Sequence, residues 1–196
     1  EGVTHLFYED LAIVPSFPTF TILTPADPAQ CSHAVRMAAE IPGPVYVRAG
    51  SGREVDVYDR NAPFSPDGIT LWREYGKDAV LFSSGFVLDR VIAAADKLHE
   101  QGINVTVADI NILYGKNPEK ILETMALSDH LFTVEDHNIN GGLGSYISRL
   151  ACENKPAYVK RIALTTYGES GPAKELADAY GFSPEAIAQT VSTTLK

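Results

Sequence analysis

Residues Leu131–Leu150 read LFTVEDHNINGGLGSYISRL. An apolar, β-rich run (Leu131-Phe132-Thr133-Val134) breaks at the polar cluster Glu135-Asp136-His137-Asn138. It then turns through Gly141, Gly142 and Gly144 into a segment with Leu143, Ile147 and Leu150 at helical spacing. The pattern predicts a strand, a glycine turn and a helix. The glycines let the backbone turn tightly and bring the helix close to a sheet, and a helix N-terminus leaves N–H groups for an acceptor or an anion. Two readings stay open from this stretch: a βα crossover turn with polar rim residues, or a turn that holds a ligand.

Working outward, strands alternate with helices along the rest of the chain. On the amino-terminal side, Ala79–Phe82 predicts a strand, Val87–His99 a helix and Asn104–Asp109 a strand, and Asn117-Pro118 starts the next helix. On the carboxyl side, Val159–Leu164 predicts a strand, Tyr167-Gly168-Glu169-Ser170-Gly171-Pro172 a turn, and two helices close the chain, the last opening at Ser183-Pro184-Glu185. Alternation of this kind means an α/β fold, a mostly parallel sheet with helices on both faces. Further upstream, EDLAIV gives a short helical pattern stopped by Pro15 and Pro18. Thr21–Leu23 reads as a strand, Asp27-Pro28 caps a helix running to Glu40, and Pro44–Arg48 is a second strand ending on a cation. This strand–helix–strand unit is most simply parallel, and Arg48 falls at the carboxyl end of its strand, where such sheets place functional groups. Between the two regular regions, glycine, proline and charge mix with short alternation at Val55, Val57, Ile69 and Leu71, which predicts a linker carrying one or two small strands. The expected parts are 1–50, a linker at 51–75, and 76–196.

With 196 residues, 45% hydrophobic and a net charge of -9, the chain is long and apolar enough for a real core and too acidic for wide nucleic-acid contacts. No apolar run approaches membrane-spanning length, so neither nucleic acid nor membrane is an expected partner. Cys31 and Cys152 fit no CxxC or zinc spacing and are read as free thiols of a cytoplasmic protein. The chain opens at Glu1 rather than at a methionine, leaving room for a missing upstream piece.

Motif spacing excludes several chemistries. Gly142-x-Gly144 does not continue into a dinucleotide fingerprint, because its third glycine position is Ile147 and no acidic residue follows at the required distance. Gly168-Glu169-Ser170-Gly171 fails as a nucleophile elbow because Pro172 stands where a glycine is needed, leaving Ser170 as a turn or cap residue. His5, His33, His99, His130 and His137 include no metal-ligand spacing. His33 and His99 fall within predicted helices, whereas His5 and His137 fall in predicted polar turns, where an imidazole is expected to meet a ligand. An enzyme part and a noncatalytic assembly or regulatory module both fit these features.

The order of motifs resembles the transketolase family, specifically the carboxyl-terminal half that some organisms make as a separate small subunit. Glu1-Gly-Val-Thr-His-Leu is similar to the family's D-G-x-T-H-Q segment, and Gly43-Pro-Val-Tyr-Val-Arg48 to its G-P-x-Y-x-R strand. Gly76-Lys-Asp-Ala-Val-Leu, Val134-Glu-Asp-His137 with Gly141-Gly-Leu-Gly-Ser145, and Tyr167-Gly-Glu-Ser-Gly171 resemble successive landmarks of the carboxyl-terminal domain. The resemblance implies the end of a thiamine-diphosphate pyrimidine-binding domain (1–50) followed by a three-layer α/β/α transketolase carboxyl-terminal domain (76–196). It implies ketol transfer between sugar phosphates on thiamine diphosphate and Mg²⁺. A pyrimidine-binding domain cut in mid-sheet exposes an unpaired strand edge and an apolar face, so a homo-oligomer, a dimer or larger, is expected. The family's cofactor-activating glutamate lies before the matching region, and no G-D-G motif for Mg²⁺ and diphosphate occurs here. The implied partner is therefore an amino-terminal transketolase subunit or domain that binds most of the cofactor. Carried over by position, His5 is the sugar-contacting catalytic histidine, Arg48 the sugar-phosphate arginine, and Glu1 stands at a sugar-contacting aspartate. Leu6 replaces the usual glutamine and Pro15 an arginine, which bears on sugar selectivity. Deoxyxylulose phosphate synthase, the β subunits of 2-oxo-acid dehydrogenases, and a noncatalytic dimerisation or regulatory module are the alternatives.

Overall fold

Apolar runs build a five-stranded sheet whose central strands are buried on both faces. In the computed structural model, which describes residues 2, 5–50, 55–115 and 118–196 (Ala173 by its backbone alone), the sheet consists of β3 (Ile69–Glu74), β4 (Ala79–Ser84), β5 (Val105–Ile110), β7 (His130–Asn138) and β8 (Tyr158–Leu164). Its order is β3-β5-β4-β7-β8, parallel except for β3, which runs antiparallel to β5 at one edge. The two-residue period divides the core. Ala79 and Leu81 of β4 face α3 (Leu88–Glu100) and α7 (Pro184–Thr194), in a cluster that includes Val91, Leu98, Ile187 and Val191. Val80 and Phe82 face the opposite way, toward α4 (Glu119–Met125) and α5 (Leu143–Glu153), among Ile121, Tyr146, Ile147 and Leu150. A strand with no wet face reads as the continuous apolar run AVLF, as β4 does.

A three-stranded sheet of order β2-β1-β6 stands beside it, formed by β1 (Thr21–Leu23), β2 (Val45–Val47) and β6 (Ile112–Leu113). β1 and β2 are parallel, joined through α2 (Pro28–Glu40), whose Met37 and Ala38 pack toward Leu23, Ala34 and Phe64. Asp27 starts α2 as its sequence predicts: Oδ1 accepts the Gln30 N–H at 2.8 Å and Pro28 takes the first turn. Ser183 caps α7 in the same way through the Ala186 N–H. β5 runs on through Asn111 into β6, which pairs antiparallel with β1, so one continuous segment ties the two sheets together. α6 (Ala173–Ala179) precedes α7, and the chain's first helix, α1 (Asp10–Ile13), continues into a 3-10 turn at Val14–Ser16 that takes Pro15 in its first turn.

The expected linker at 51–75 ends in regular structure. Ile69–Glu74 is an edge strand of the large sheet, with Ile69 opposite Ile110 and Leu71 opposite Ala108, so pairing begins before Gly76. Its mixed pattern follows from its edge position, where only one side has a strand partner. Pro118 occupies the N-cap of α4 rather than its first turn, and Asn117 lies outside the described residues.

Candidate functional site

The polar cluster 135–138 does not break β7. It continues the strand to Asn138 across a register shift after Val134, and each of its side chains has a defined place. Strand parity puts Glu135 on the α5 side, with Leu131 and Thr133. Its carboxylate accepts the Leu143 N–H at 2.5 Å and the Gly144 N–H at 2.8 Å. The helix N-terminus that could have received an external anion is thus closed by an internal one. Burial pushes the Glu135 carboxyl up to about 7, against the pull of those two N–H donors. Gly142 is required here by space: a Cβ would collide with the Glu135 carboxylate and come within 2.8 Å of His137 Nδ1.

His137 is not free to bind a ligand, contrary to the expectation from sequence. It is fully buried, with Nδ1 donating to the Asn138 carbonyl at 2.7 Å and Nε2 accepting the Leu11 N–H at 3.1 Å. That pattern requires the neutral Nδ1–H tautomer, and burial lowers the ring's pKa accordingly. Asp10 Oδ1, 3.5 Å from Nε2, therefore faces an acceptor rather than an ion-pair partner, and it has no hydrogen bond among the described residues.

Arg48 and His5 border one cavity of about 650 Å³, together with Tyr8, Asp136, Arg90 and Tyr180. His5 sits in an exposed turn whose backbone N–H donates to the Gly2 carbonyl at 3.0 Å. Arg48 lies just past β2 and is 9% exposed. Its Nε donates to Asp10 Oδ2 at 2.9 Å, one terminal nitrogen to Asp136 Oδ1 at 2.8 Å, and the other to the Asp136 carbonyl at 3.2 Å. Burial opposes the charge, but Asp136 and Asp10 outweigh it and hold the guanidinium above its ordinary pKa. Tyr46 adds a donor to Asp10 Oδ2 at 2.9 Å, and burial beside that carboxylate pushes its phenol up to about 12. Sequence thus brings His5 and Arg48 to one cavity, while Glu1 lies outside the described residues. Ser170 is in an exposed loop, where a Cβ on Gly2 would lie 3.0 Å from its Oγ. No individual site role was assigned from sequence to Asp10, Asp136 or Glu135. The findable signal was Glu135, which strand parity aims at the helix starting eight residues later.

A mostly parallel, doubly wound sheet with a cavity outside its strand ends defines the class as an open α/β domain. The family follows from comparison. Residues 69–187 match the model of the transketolase C-terminal domain, and the chain belongs to that family. It is 29% identical over 187 residues to one of the subunits of an apulose-4-phosphate transketolase from Actinobacillus succinogenes, covering 94% of this chain and 60% of that protein. A putative transketolase C-terminal section of Methanocaldococcus jannaschii is 28% identical over 200 residues, covering 100% of this chain and 62% of that one. Among solved structures, a split-gene transketolase described as an inactive beta4 tetramer superposes with a TM-score of 0.91 at 30% identity, over 99% of this chain and 64% of that one. The chain therefore spans about three fifths of these split relatives, and 31% of the human transketolase it also matches.

The described residues offer neither Mg²⁺ nor, at the α5 N-terminus, a diphosphate an evident place. No group of three His, Cys, Asp or Glu side chains among them could hold a metal ion, and the α5 N–H groups that could meet a diphosphate are taken by Glu135. Among the described residues, no helix is long and apolar enough to cross a membrane.

Proposed function

We propose that this chain is the carboxyl-terminal part of a thiamine-diphosphate-dependent transketolase that moves a two-carbon ketol unit between phosphorylated sugars. In this reading an amino-terminal transketolase part, on a partner chain or a longer polypeptide, carries the diphosphate and Mg²⁺. The cofactor supplies the carbanion chemistry, and this chain supplies recognition of the sugar. The observation that carries the reading is the meeting of His5 and Arg48 on one cavity. His5, exposed at the rim, donates to or accepts from a sugar hydroxyl. Arg48, with three of its five N–H donors committed to Asp10 and Asp136, directs a planar cation toward a phosphate. Glu1 is proposed as a further sugar contact. The similar split-gene protein described as an inactive beta4 tetramer supports both the need for a second part and self-association.

An apolar stretch near the amino end supports association as well. Phe7, Ile13 and Phe17 are each about half exposed, and Phe17 and Phe20 rings lie 6.0 Å apart. Sedimentation should show a dimer or larger species, tighter with the amino-terminal part; a monomer at every accessible concentration contradicts this.

The test of function is reconstitution with the amino-terminal part and steady-state ketol transfer from a ketose phosphate. His5→Ala should lower kcat on phosphorylated and unphosphorylated substrates alike. Arg48→Lys, which keeps the charge and loses the fork, should chiefly raise KM for the phosphorylated one. Equal losses on both substrates for Arg48→Lys would remove the phosphate role, and ketol transfer by the 196-residue chain alone would remove the need for a second part.

A further inference from the structure

The ion pair between Arg48 and Asp136 joins the two sheets. Arg48 follows β2 of the small sheet, and Asp136 lies near the end of β7 in the large one. It also occupies a particular place in the topology. β4 is followed by α3 on one face of the large sheet, and its neighbour β7 by α5 on the other. The crevice outside the carboxyl ends of two such strands is where open α/β sheets receive ligands. Here the chain leaving β4 turns at Gly85, with φ of 73°, and a Cβ at that position would sit 3.0 Å from Asp136 Oδ1 and 3.5 Å from an Arg48 terminal nitrogen. The crevice therefore already holds an anion–cation pair made by the protein itself.

The two carboxylates on Arg48 differ in their surroundings. The Asp10 side chain is 2% exposed and receives Nε on the buried side, along with the Tyr46 hydroxyl. The Asp136 side chain is 25% exposed and, like Arg48, borders the cavity. Moving Asp10 off the guanidinium would strand a buried carboxylate, whereas Asp136 can turn to water. A phosphate offers three acceptor oxygens and more negative charge than one carboxylate, so it can replace the Asp136 side chain on the one terminal nitrogen that this side chain holds, while the Asp136 main-chain carbonyl keeps the other.

We propose that Asp136 is an internal stand-in for the ligand's phosphate: it sits on the outer edge of Arg48 until a sugar phosphate displaces it, while Asp10 keeps the guanidinium in place. The proposal rests on Arg48 being an anion-binding residue. It makes Asp136 a specificity-setting residue, because its charge repels an anion that fails to displace it. Phosphate binding and the Arg48–Asp136 tie between the sheets become alternatives, so ligand entry loosens the contact between the two parts of the chain.

The experiment titrates the full chain with inorganic phosphate, ribose 5-phosphate and ribose, by calorimetry and by ¹H–¹⁵N spectra that include arginine Nε–H signals. Asp136→Asn keeps an acceptor oxygen and removes the charge. It should tighten both phosphate probes about tenfold, the effect of roughly 1.4 kcal/mol of relieved repulsion at short range, and leave ribose unchanged. In the wild-type chain, phosphate should shift the Gly85 and Asp136 amides while the Arg48 Nε–H signal, held by Asp10, stays in place. These spectra do not depend on any variant folding. Equal or weaker phosphate binding by Asp136→Asn, with binding still lost in Arg48→Lys, would overturn the stand-in and leave the anion role of Arg48 intact. Phosphate binding by Arg48→Lys at wild-type strength, or none by the wild-type and Asp136→Asn chains, would overturn the anion role and the stand-in with it.

Discussion

Asp109→Asn should flatten the chain's pH-dependent loss of stability. Asp109, on β5, is fully buried. Its Oδ2 accepts the Tyr58 hydroxyl and the Asn111 amide, each at 2.8 Å, while Oδ1 has no partner among the described residues. Burial pushes the carboxyl from 3.8 up to about 7, with the two donors pulling the other way. Below pH 3.8 folded and unfolded chains both hold the proton. Between 3.8 and about 7 only the folded chain keeps it, so stability falls as pH rises, and above 7 the slope ends. At about 1.4 kcal/mol per pH unit the gap sets a ceiling of about 4 kcal/mol, of which roughly 3 kcal/mol falls between pH 5 and 8. The asparagine keeps an acceptor for Tyr58 and Asn111 and cannot ionise. Its new donor, facing the place where Oδ1 lacks a partner, carries a pH-independent cost of about 1–3 kcal/mol. The assay is urea unfolding at a series of pH values. It can be followed by Trp72, the sole tryptophan, whose Nε1 donates to the Tyr58 hydroxyl at 3.4 Å. Burial also pushes the Glu135 carboxyl up to about 7 and lowers the His137 ring, so the informative quantity is the difference between wild type and variant at each pH. That difference should move in the variant's favour from pH 5 to 8. Parallel curves across the range would refute the assignment of a buried, protonated carboxyl to Asp109.

Gly142→Ala should cost more than about 2 kcal/mol by chemical denaturation, because its methyl displaces the Glu135 carboxylate from the α5 N-terminus. His137→Ala should cost at least about 1–3 kcal/mol for the stranded Leu11 N–H alone, with near-ultraviolet dichroism reporting whether α1 stays docked. Asp27→Ala removes both the α2 cap and the acceptor for the Val57 and Tyr58 N–H groups at 2.8 and 2.7 Å. A loss of about 2–4 kcal/mol and faster proteolysis near residues 55–64 are expected.

What the sequence makes legible here is whatever a local signal specifies. Asp27-Pro28 and Ser183-Pro184 mark their helices because the cap and its N–H lie three residues apart, and AVLF marks the first four residues of β4 because a strand covered on both faces has no wet side to alternate with. β6 escapes for the opposite reason. Two residues carry no period, and they are strand only because β1 lies beside them. The β3 pattern is diluted by its edge position. The run EDHN misleads in a more instructive way. Four polar residues in a row read as a turn when their partners are unknown, yet Glu135, Asp136 and His137 meet groups 8, 88 and 126 residues away.

That distance also separates the parts of the site that sequence reveals from those it hides. Arg48 is visible as a cation at a strand end, but its chemistry depends on which carboxylates surround it, and those come from α1 and β7. The buried Asp10 lowers the cost of enclosing the guanidinium, and the half-open Asp136 decides how much of that charge an incoming anion feels. A residue's type and its place on a strand can be read from the chain, while its free charge is set by partners that only the folded molecule assembles. The glycine turn illustrates the same point. Its helix N-terminus has the geometry of an anion site, and Glu135, brought there by strand parity, closes it. The cavity at Arg48 differs because its outermost carboxylate remains within reach of water, which is what leaves room for exchange with a ligand.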